Sequence, residues 1–68
     1  MGEVVVEHAD VGETLHSLAA LAALEGDFET AEQGYRQALG VLERALGKDS
    51  LPVAETLNDL GLTLQWGK

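Results

Sequence analysis

The chain has 68 residues, 46% of them apolar, with a net charge of −8 and no cysteine. A chain this short forms one small domain or part of one, without room for both a large core and a deep catalytic cleft. Twelve acidic residues against four Lys and Arg argue against nucleic-acid or anionic-membrane binding, because both need cationic patches. The lack of cysteine excludes disulfides, thiol catalysis and cysteine–zinc sites.

Residues 1–10 are expected to form an N-terminal flank. Val4–Val6 are β-branched, but the chain offers no partner strand. They are interpreted either as the frayed end of a helix or as a segment that folds back over apolar surface. No targeting signal is recognised, and the longest apolar run, about ten residues, is half a membrane span. Localisation stays open, with the cytoplasm favoured.

The first predicted helix covers about residues 11–25. Asp10 is the expected N-cap, and Glu13 three residues later completes a capping-box pattern. Gly26 suits the left-handed position after a helix. The apolar positions recur at spacings of three and four and comprise Leu15, Leu18, Ala19 and Ala22.

The second predicted helix covers about residues 28–46, with Asp27 as its N-cap and Gly47 after its end. Gly34 and Gly40 interrupt its interior, where each costs about 1 kcal/mol relative to Ala. Either they let a neighbouring helix approach closely or the helix bends there. Its 3.6-residue apolar stripe consists of Phe28, Ala31, Tyr35, Ala38, Leu42 and Ala45.

A third helix opens after Ser50 with Pro52 in its first turn and runs to about Trp66. Its apolar residues occupy more than one side, and its partner helix is missing, so part of this surface should face water. Such patches mark interaction sites. We therefore predict a homo-oligomer that associates through Leu60, Leu64 and Trp66.

The two ends of the chain contain an internal repeat. Val11–Ala19 aligns with Val53–Gly61 at an offset of about 42 residues, with identical Val, Glu, Thr and Leu residues. The chain thus holds one complete unit, residues 11–52, and the first helix of a second unit, residues 53–68. The fold class is all-α, with one and a half helical hairpins, and the two aligned segments are expected to occupy similar environments.

These residues resemble the tetratricopeptide repeat, whose pattern is W-x2-L-G-x2-Y, then A-x3-F, then A. Leu15 stands in the Trp place, Leu18-Ala19 stand for Leu-Gly, and Ala22 takes the Tyr place. In the second copy Leu57, Leu60, Gly61 and Leu64 occupy the same slots. The closing proline of the family is missing from the second helix. The period of about 42 residues exceeds the common period of about 34 residues. This longer unit is similar to the kinesin-light-chain class, as is the segment Ala54–Gly61.

The resemblance implies a superhelix of antiparallel hairpins that is noncatalytic and binds a protein or peptide on the concave face of its first helices. The implied groove residues are Glu13, His16, Ser17, Ala20, Asn58, Asp59 and Leu62. The few cations lie outside this face, so a neutral or basic peptide is favoured over an acidic one. The alternative is a structural self-association or capping segment of a longer solenoid.

Individual residues leave alternatives open. Asn58 is either a hydrogen-bonding partner of a peptide backbone or a solvated polar residue. Trp66 either stacks on a ligand or, as we favour, covers exposed core. Glu13 and His16 have the Glu-x-x-His spacing of di-iron bundles, but the repeat copy has Asn58 in the His place. We therefore predict no metal, no cofactor and no catalytic residues.

Overall fold

The computed structural model describes residues 9–67, which form three α-helices and, within that range, no strand. The helices are α1 (Ala9–Leu24), α2 (Phe28–Leu46) and α3 (Leu51–Trp66). The predicted all-α fold class is thereby confirmed. The prediction for Val4–Val6 concerns residues outside the described part of the chain.

Local hydrogen bonds explain where α1 ends. Gly26 adopts φ +83°, a left-handed conformation that favours glycine. The backbone N–H of Asp27 donates to the carbonyl of Ala22 at 2.9 Å, and that of Gly26 donates to Ala23 at 3.0 Å. This pair of bonds is a Schellman motif, as expected for Gly26. Asp10, however, lies inside the first turn of α1 and is not its N-cap. In the first turn its negative carboxylate stabilises the helix by interacting with the positive end of the helix dipole.

The other helix ends are set by different chemistry. Asp27 caps α2, since its Oδ1 accepts a hydrogen bond from the Thr30 backbone N–H at 3.2 Å. Gly47 ends α2 at φ +96°. Ser50 precedes α3 but donates its hydroxyl to the Gly47 carbonyl at 3.0 Å and caps no backbone N–H. Pro52 lies in the first turn of α3, where its missing N–H leaves no hydrogen bond unmade.

The central helix is α2, which packs against both neighbours. A Cβ built on Gly34 would lie 2.9 Å from the Cβ of Ala19, and one built on Gly12 would lie 2.6 Å from Cγ of Leu42. Residues near the end of α1 therefore lie beside residues near the start of α2, and the reverse, so the two helices are antiparallel. Gly34 serves close helix approach, whereas a Cβ on Gly40 would meet nothing within 4 Å.

The core consists of two clusters on α2. The cluster near the start of α2 joins all three helices and contains Ala19, Ala22, Ala31, Tyr35 and Leu60. The cluster near its end contains Ala38, Leu42 and Val53, with Leu15 and Leu39 packed against it. Two buried threonines of α3 donate their hydroxyls to backbone carbonyls one turn earlier, Thr56 to Pro52 at 2.8 Å and Thr63 to Asp59 at 2.9 Å.

The expectation of similar environments for the repeated segments is wrong. The residues that α1 packs towards α2 are Gly12, Leu15, Ala19 and Ala22. Their counterparts in the repeat alignment are all exposed on α3 and are called the α3 free stripe: Ala54, Leu57, Gly61 and Leu64. The residues that α3 buries are Val53, Thr56, Leu60 and Thr63. Their counterparts on α1 are all exposed and are called the α1 free stripe: Val11, Thr14, Leu18 and Leu21.

The difference has a physical reason. A first helix of a stacked hairpin has two packing faces, one for its own second helix and one for the second helix of the preceding unit. Among the described residues α2 is the only second helix, and α1 uses one face against it while α3 uses the other. The two environments are complementary parts of one packing pattern.

Candidate protein-binding groove

The candidate site is a cleft between α1 and α3. Both helices are antiparallel to α2, so they run in the same direction side by side, and they contact each other far less than they contact α2. Tyr35 of α2 lies beneath the cleft, buried with only 3% of its surface exposed. Two open cavities follow one another along it, one near the first turns of α1 and α3 and one near their last turns.

One polar contact joins the two walls. Nε2 of His16 on α1 lies 2.8 Å from Oδ2 of Asp59 on α3, and each side chain keeps about a third of its surface exposed (28% and 35%). The ring of His16 also lies 5.3 Å from the ring of Tyr35, tilted by 57°. This contact bridges α1 and α3 between the two cavities of the groove.

The pKa of Tyr35 at the groove floor is raised. Burial raises the pKa of Tyr35 above its ordinary value of 10.0, and the negative charge of Asp59 raises it further. Both causes disfavour the phenolate, the first because the core solvates charge poorly and the second because like charges repel. A tyrosine with the ordinary pKa of 10.0 is already neutral at physiological pH, and both causes move the ionisation of Tyr35 further from that range.

The first half of the groove is acidic. A cavity of about 270 Å³ has Glu13, His16 and Ser17 of α1 on one side and Glu55 of α3 on the other. Both glutamates are exposed. Neither α1 nor α3 contains a Lys or Arg. Among residues 9–67 the lysine and arginine side chains are those of Arg36, Arg44 and Lys48, on α2 and the loop after it.

The second half is apolar. A cavity of about 270 Å³ begins beyond Asp59 and is bounded on the floor by Tyr35. Its walls are Ala20, Ala23 and Leu24 of α1, and Leu62, Thr63 and Trp66 of α3.

The structure brings six of the seven predicted groove residues to the cleft. Glu13, His16 and Ser17 line its acidic half, Ala20 and Leu62 line its apolar half, and Asp59 lies between them. Asn58 is exposed one turn before Leu62, but it is not part of the wall of either cavity.

The predicted association residues do not share a surface. Leu60 is 8% exposed and belongs to the core, where it packs with Ala19 and Tyr35. Leu64 borders a shallow cleft beside α2, whereas Trp66 lines the groove. Trp66 remains 67% exposed, so it contributes to the groove wall and covers little of the core.

Leu24 and Tyr35 are among the groove residues that the sequence reasoning missed. Periodicity identifies Leu24 only as an extra apolar position and Tyr35 only as core. The repeat offset held a signal, because it pairs Ala20 with Leu62 and Leu24 with Trp66, which are the residues that face one another across the apolar cavity. The Tyr35 position at the floor depends on tertiary packing and has no such local signal.

Two features of the described residues bear on the chemistry of the cleft. Between residues 9 and 67 no group of three or more His, Asp and Glu side chains is placed to hold a metal ion. In the same part of the chain no helix combines the length and hydropathy that a bilayer crossing requires. The cleft offers carboxylates, one imidazole and apolar side chains, which suit hydrogen bonds, ion pairs and apolar contacts.

Antiparallel helices in an A–B–A order, with an internal repeat and an open groove between the first helices, define a helical-hairpin repeat protein. Comparison with protein families gives the specific class, since the tetratricopeptide repeat family matches residues 10–68. The chain belongs to the tetratricopeptide repeat family. The kinesin-light-chain class is compatible with this match. Comparisons with curated proteins and with solved structures gave no match.

Proposed function

We propose that this chain is a noncatalytic interaction module that binds a peptide segment of a partner protein in the cleft between α1 and α3. Tetratricopeptide repeats build scaffolds for protein–protein interaction. The observation that supports the groove as the binding site is the pair of solvent-open cavities that follow one another between the parallel helices α1 and α3, above α2. Such concave, partly apolar surfaces are typical binding sites.

The test is binding of the whole chain to an array of unrelated short peptides, repeated with variants. Ser17→Trp places a large side chain in the acidic cavity, and we expect it to reduce binding to most captured peptides at least tenfold. Asn58 lies outside both cavity walls, so Asn58→Ala should weaken only those peptides that extend past the cavities to its amide, by about fivefold for a backbone hydrogen bond worth about 1 kcal/mol. The matched control is Gln37→Ala, an exposed amide of α2 that borders the outer side of α1.

Array binding that is lost with Ser17→Trp and kept with Gln37→Ala supports the groove. Equal binding by Ser17→Trp and the unchanged chain contradicts it, and so does an array on which no peptide is captured. Far-ultraviolet circular dichroism of each variant shows that the helices are intact.

A second candidate function is self-association, and the α3 free stripe favours it. Leu57 and Leu64 are 49% and 38% exposed at positions whose counterparts in α1 pack towards α2. A second copy of the chain that covers this stripe would form a dimer with a two-fold axis. Because Leu60 is buried and Trp66 faces the groove, the proposed contact now centres on Leu57 and Leu64.

A further inference from the structure

We infer that the groove reads two features of its ligand, a basic side chain and an aliphatic side chain, held about 10 Å apart along the helix axes. This inference rests on the proposed function, because it names the peptide class that the same groove selects. The basic side chain occupies the cavity near the first turns of α1 and α3, and the aliphatic side chain occupies the cavity near Trp66.

The acidic half selects a cation. Glu13 and Glu55 lie on opposite walls of one cavity. Asp59 at the next turn of α3 adds no free carboxylate, because His16 already pairs with it. The positive ends of the helix dipoles are close, but their effect fades within the first turn, and each glutamate is the fifth residue of its helix. No Lys or Arg of α1 or α3 neutralises these carboxylates. A ligand guanidinium or ammonium is the complementary group.

The apolar half selects a hydrocarbon side chain. Its walls are apolar apart from Thr63 and Asp59, and the Thr63 hydroxyl is already used in a bond to the Asp59 carbonyl. At about 270 Å³ the cavity is smaller than a typical drug-sized pocket and suits one side chain of Leu, Ile or Val. Covering Leu62 and Trp66 removes exposed apolar surface from water, which favours binding.

The spacing follows from helix geometry. Glu13 and Ala20 are seven residues apart on α1, as are Glu55 and Leu62 on α3, and seven residues rise about 10 Å along a helix. An extended peptide advances about 3.3 Å per residue, so three positions separate the two side chains. The expected ligand is an extended segment with Arg or Lys and Leu, Ile or Val three positions apart.

The experiment uses fluorescein-labelled Gly/Ser octapeptides that carry one Arg and one Leu three positions apart, in both orders. Anisotropy titrations measure their affinity for the whole chain. Replacing Arg by Glu in the better probe should weaken binding at least tenfold, and replacing Leu by Ser should weaken it about tenfold. Raising the salt concentration should weaken the Arg probe, because exposed charges are screened.

Variants assign each preference to its cavity. Glu13→Gln/Glu55→Gln should remove the preference for Arg over Glu and keep that for Leu over Ser, while Leu62→Ser should do the reverse. The matched controls are Glu29→Gln/Glu43→Gln, which loses the same charge from α2, and Leu57→Ser, which changes an exposed leucine outside the groove. Trp66 is the only tryptophan, so unlabelled Leu probe should shift its emission to shorter wavelength as the indole is covered.

The outcomes separate this inference from the function on which it rests. Probes that bind with the predicted preferences support both. If array peptides bind but the Arg and Glu probes, or the Leu and Ser probes, have equal affinity, the two-feature groove is wrong and the peptide-binding function stands. If no peptide binds in either format, both are wrong.

Discussion

Tyr35 illustrates how a single residue reports on the groove. It is the only tyrosine of the chain and lies within contact distance of His16, with Asp59 as the nearby negative charge. Its phenol therefore gives one assignable titration. Because burial is the larger cause of its raised pKa, the shift depends first on the integrity of the core and second on the groove carboxylate.

We predict that the native Tyr35 ionises above pH 10.0 and that Asp59→Asn lowers its midpoint without returning it to that value. Since the folded pKa exceeds the unfolded one, the unfolded state loses its proton first. The free energy of unfolding should thus fall as the pH rises from the unfolded to the folded pKa. Tyrosinate absorbance measures the titration, and urea unfolding at several alkaline pH values measures the stability.

Tyr35→Phe is the control, because lysines titrate in the same range and their contribution persists in this variant. The difference in slope between the two proteins belongs to Tyr35. A native titration at or below the ordinary value of tyrosine would contradict the packing described for the groove floor.

Residue-scale sequence signals succeed where the chemistry is local. Gly26 and Asp27 were predicted because a left-handed turn and a side-chain cap each depend on a few neighbouring atoms. Asp10 was misplaced by the same logic. An aspartate stabilises a helix both as its N-cap and within its first turn, so the residue type alone does not locate the helix start.

At the scale of helices, Gly34 and Gly40 allow the effect of helix packing on stability to be measured apart from the effect of helix propensity. Both occupy the interior of α2, and nothing in the sequence distinguishes them. Only Gly34 lies where α1 approaches, with a would-be Cβ 2.9 Å from that of Ala19. We expect Gly40→Ala to stabilise the protein by about 1 kcal/mol through helix propensity alone.

Gly34→Ala gains the same propensity but must push α1 and α2 apart, and overpacking costs about 1–3 kcal/mol. The two variants should therefore differ in free energy of unfolding by about 1–3 kcal/mol, with Gly40→Ala the more stable. Urea unfolding followed by circular dichroism measures both. Equal stabilities would show that the close approach of α1 at Gly34 is absent.

The periodicity of apolar residues predicted the helices and their apolar stripes, but not which apolar residues are buried. Four residues of the predicted α2 stripe, Ala31, Tyr35, Ala38 and Leu42, are buried because α2 packs against both α1 and α3. Val41 is buried outside the stripe, and Leu46 is exposed. For α1 and α3 the same spacing describes two faces, one covered and one free. Which face is covered depends on the position of the helix in the stack, a property that the repeat pattern does not encode.

At the scale of the whole molecule, charge and apolar surface oppose each other. The net charge of −8 repels a second copy, while the exposed leucines of the α3 free stripe attract one. Self-association of this kind should strengthen with salt, because screening reduces the repulsion and leaves the apolar contact intact. Peptide binding through the acidic cavity has the opposite salt dependence.

We predict a concentration-dependent dimer whose dissociation constant decreases from low to physiological salt, measured by sedimentation equilibrium. Leu64→Glu adds a charge to the centre of the contact on both copies and should shift the equilibrium to monomer by at least tenfold. Leu18→Glu is the matched control, since Leu18 is an exposed leucine of the α1 free stripe and the variant has the same charge. A chain that stays monomeric at high micromolar concentration in physiological salt, or equal loss of dimer with both variants, would rule out the two-fold contact at α3.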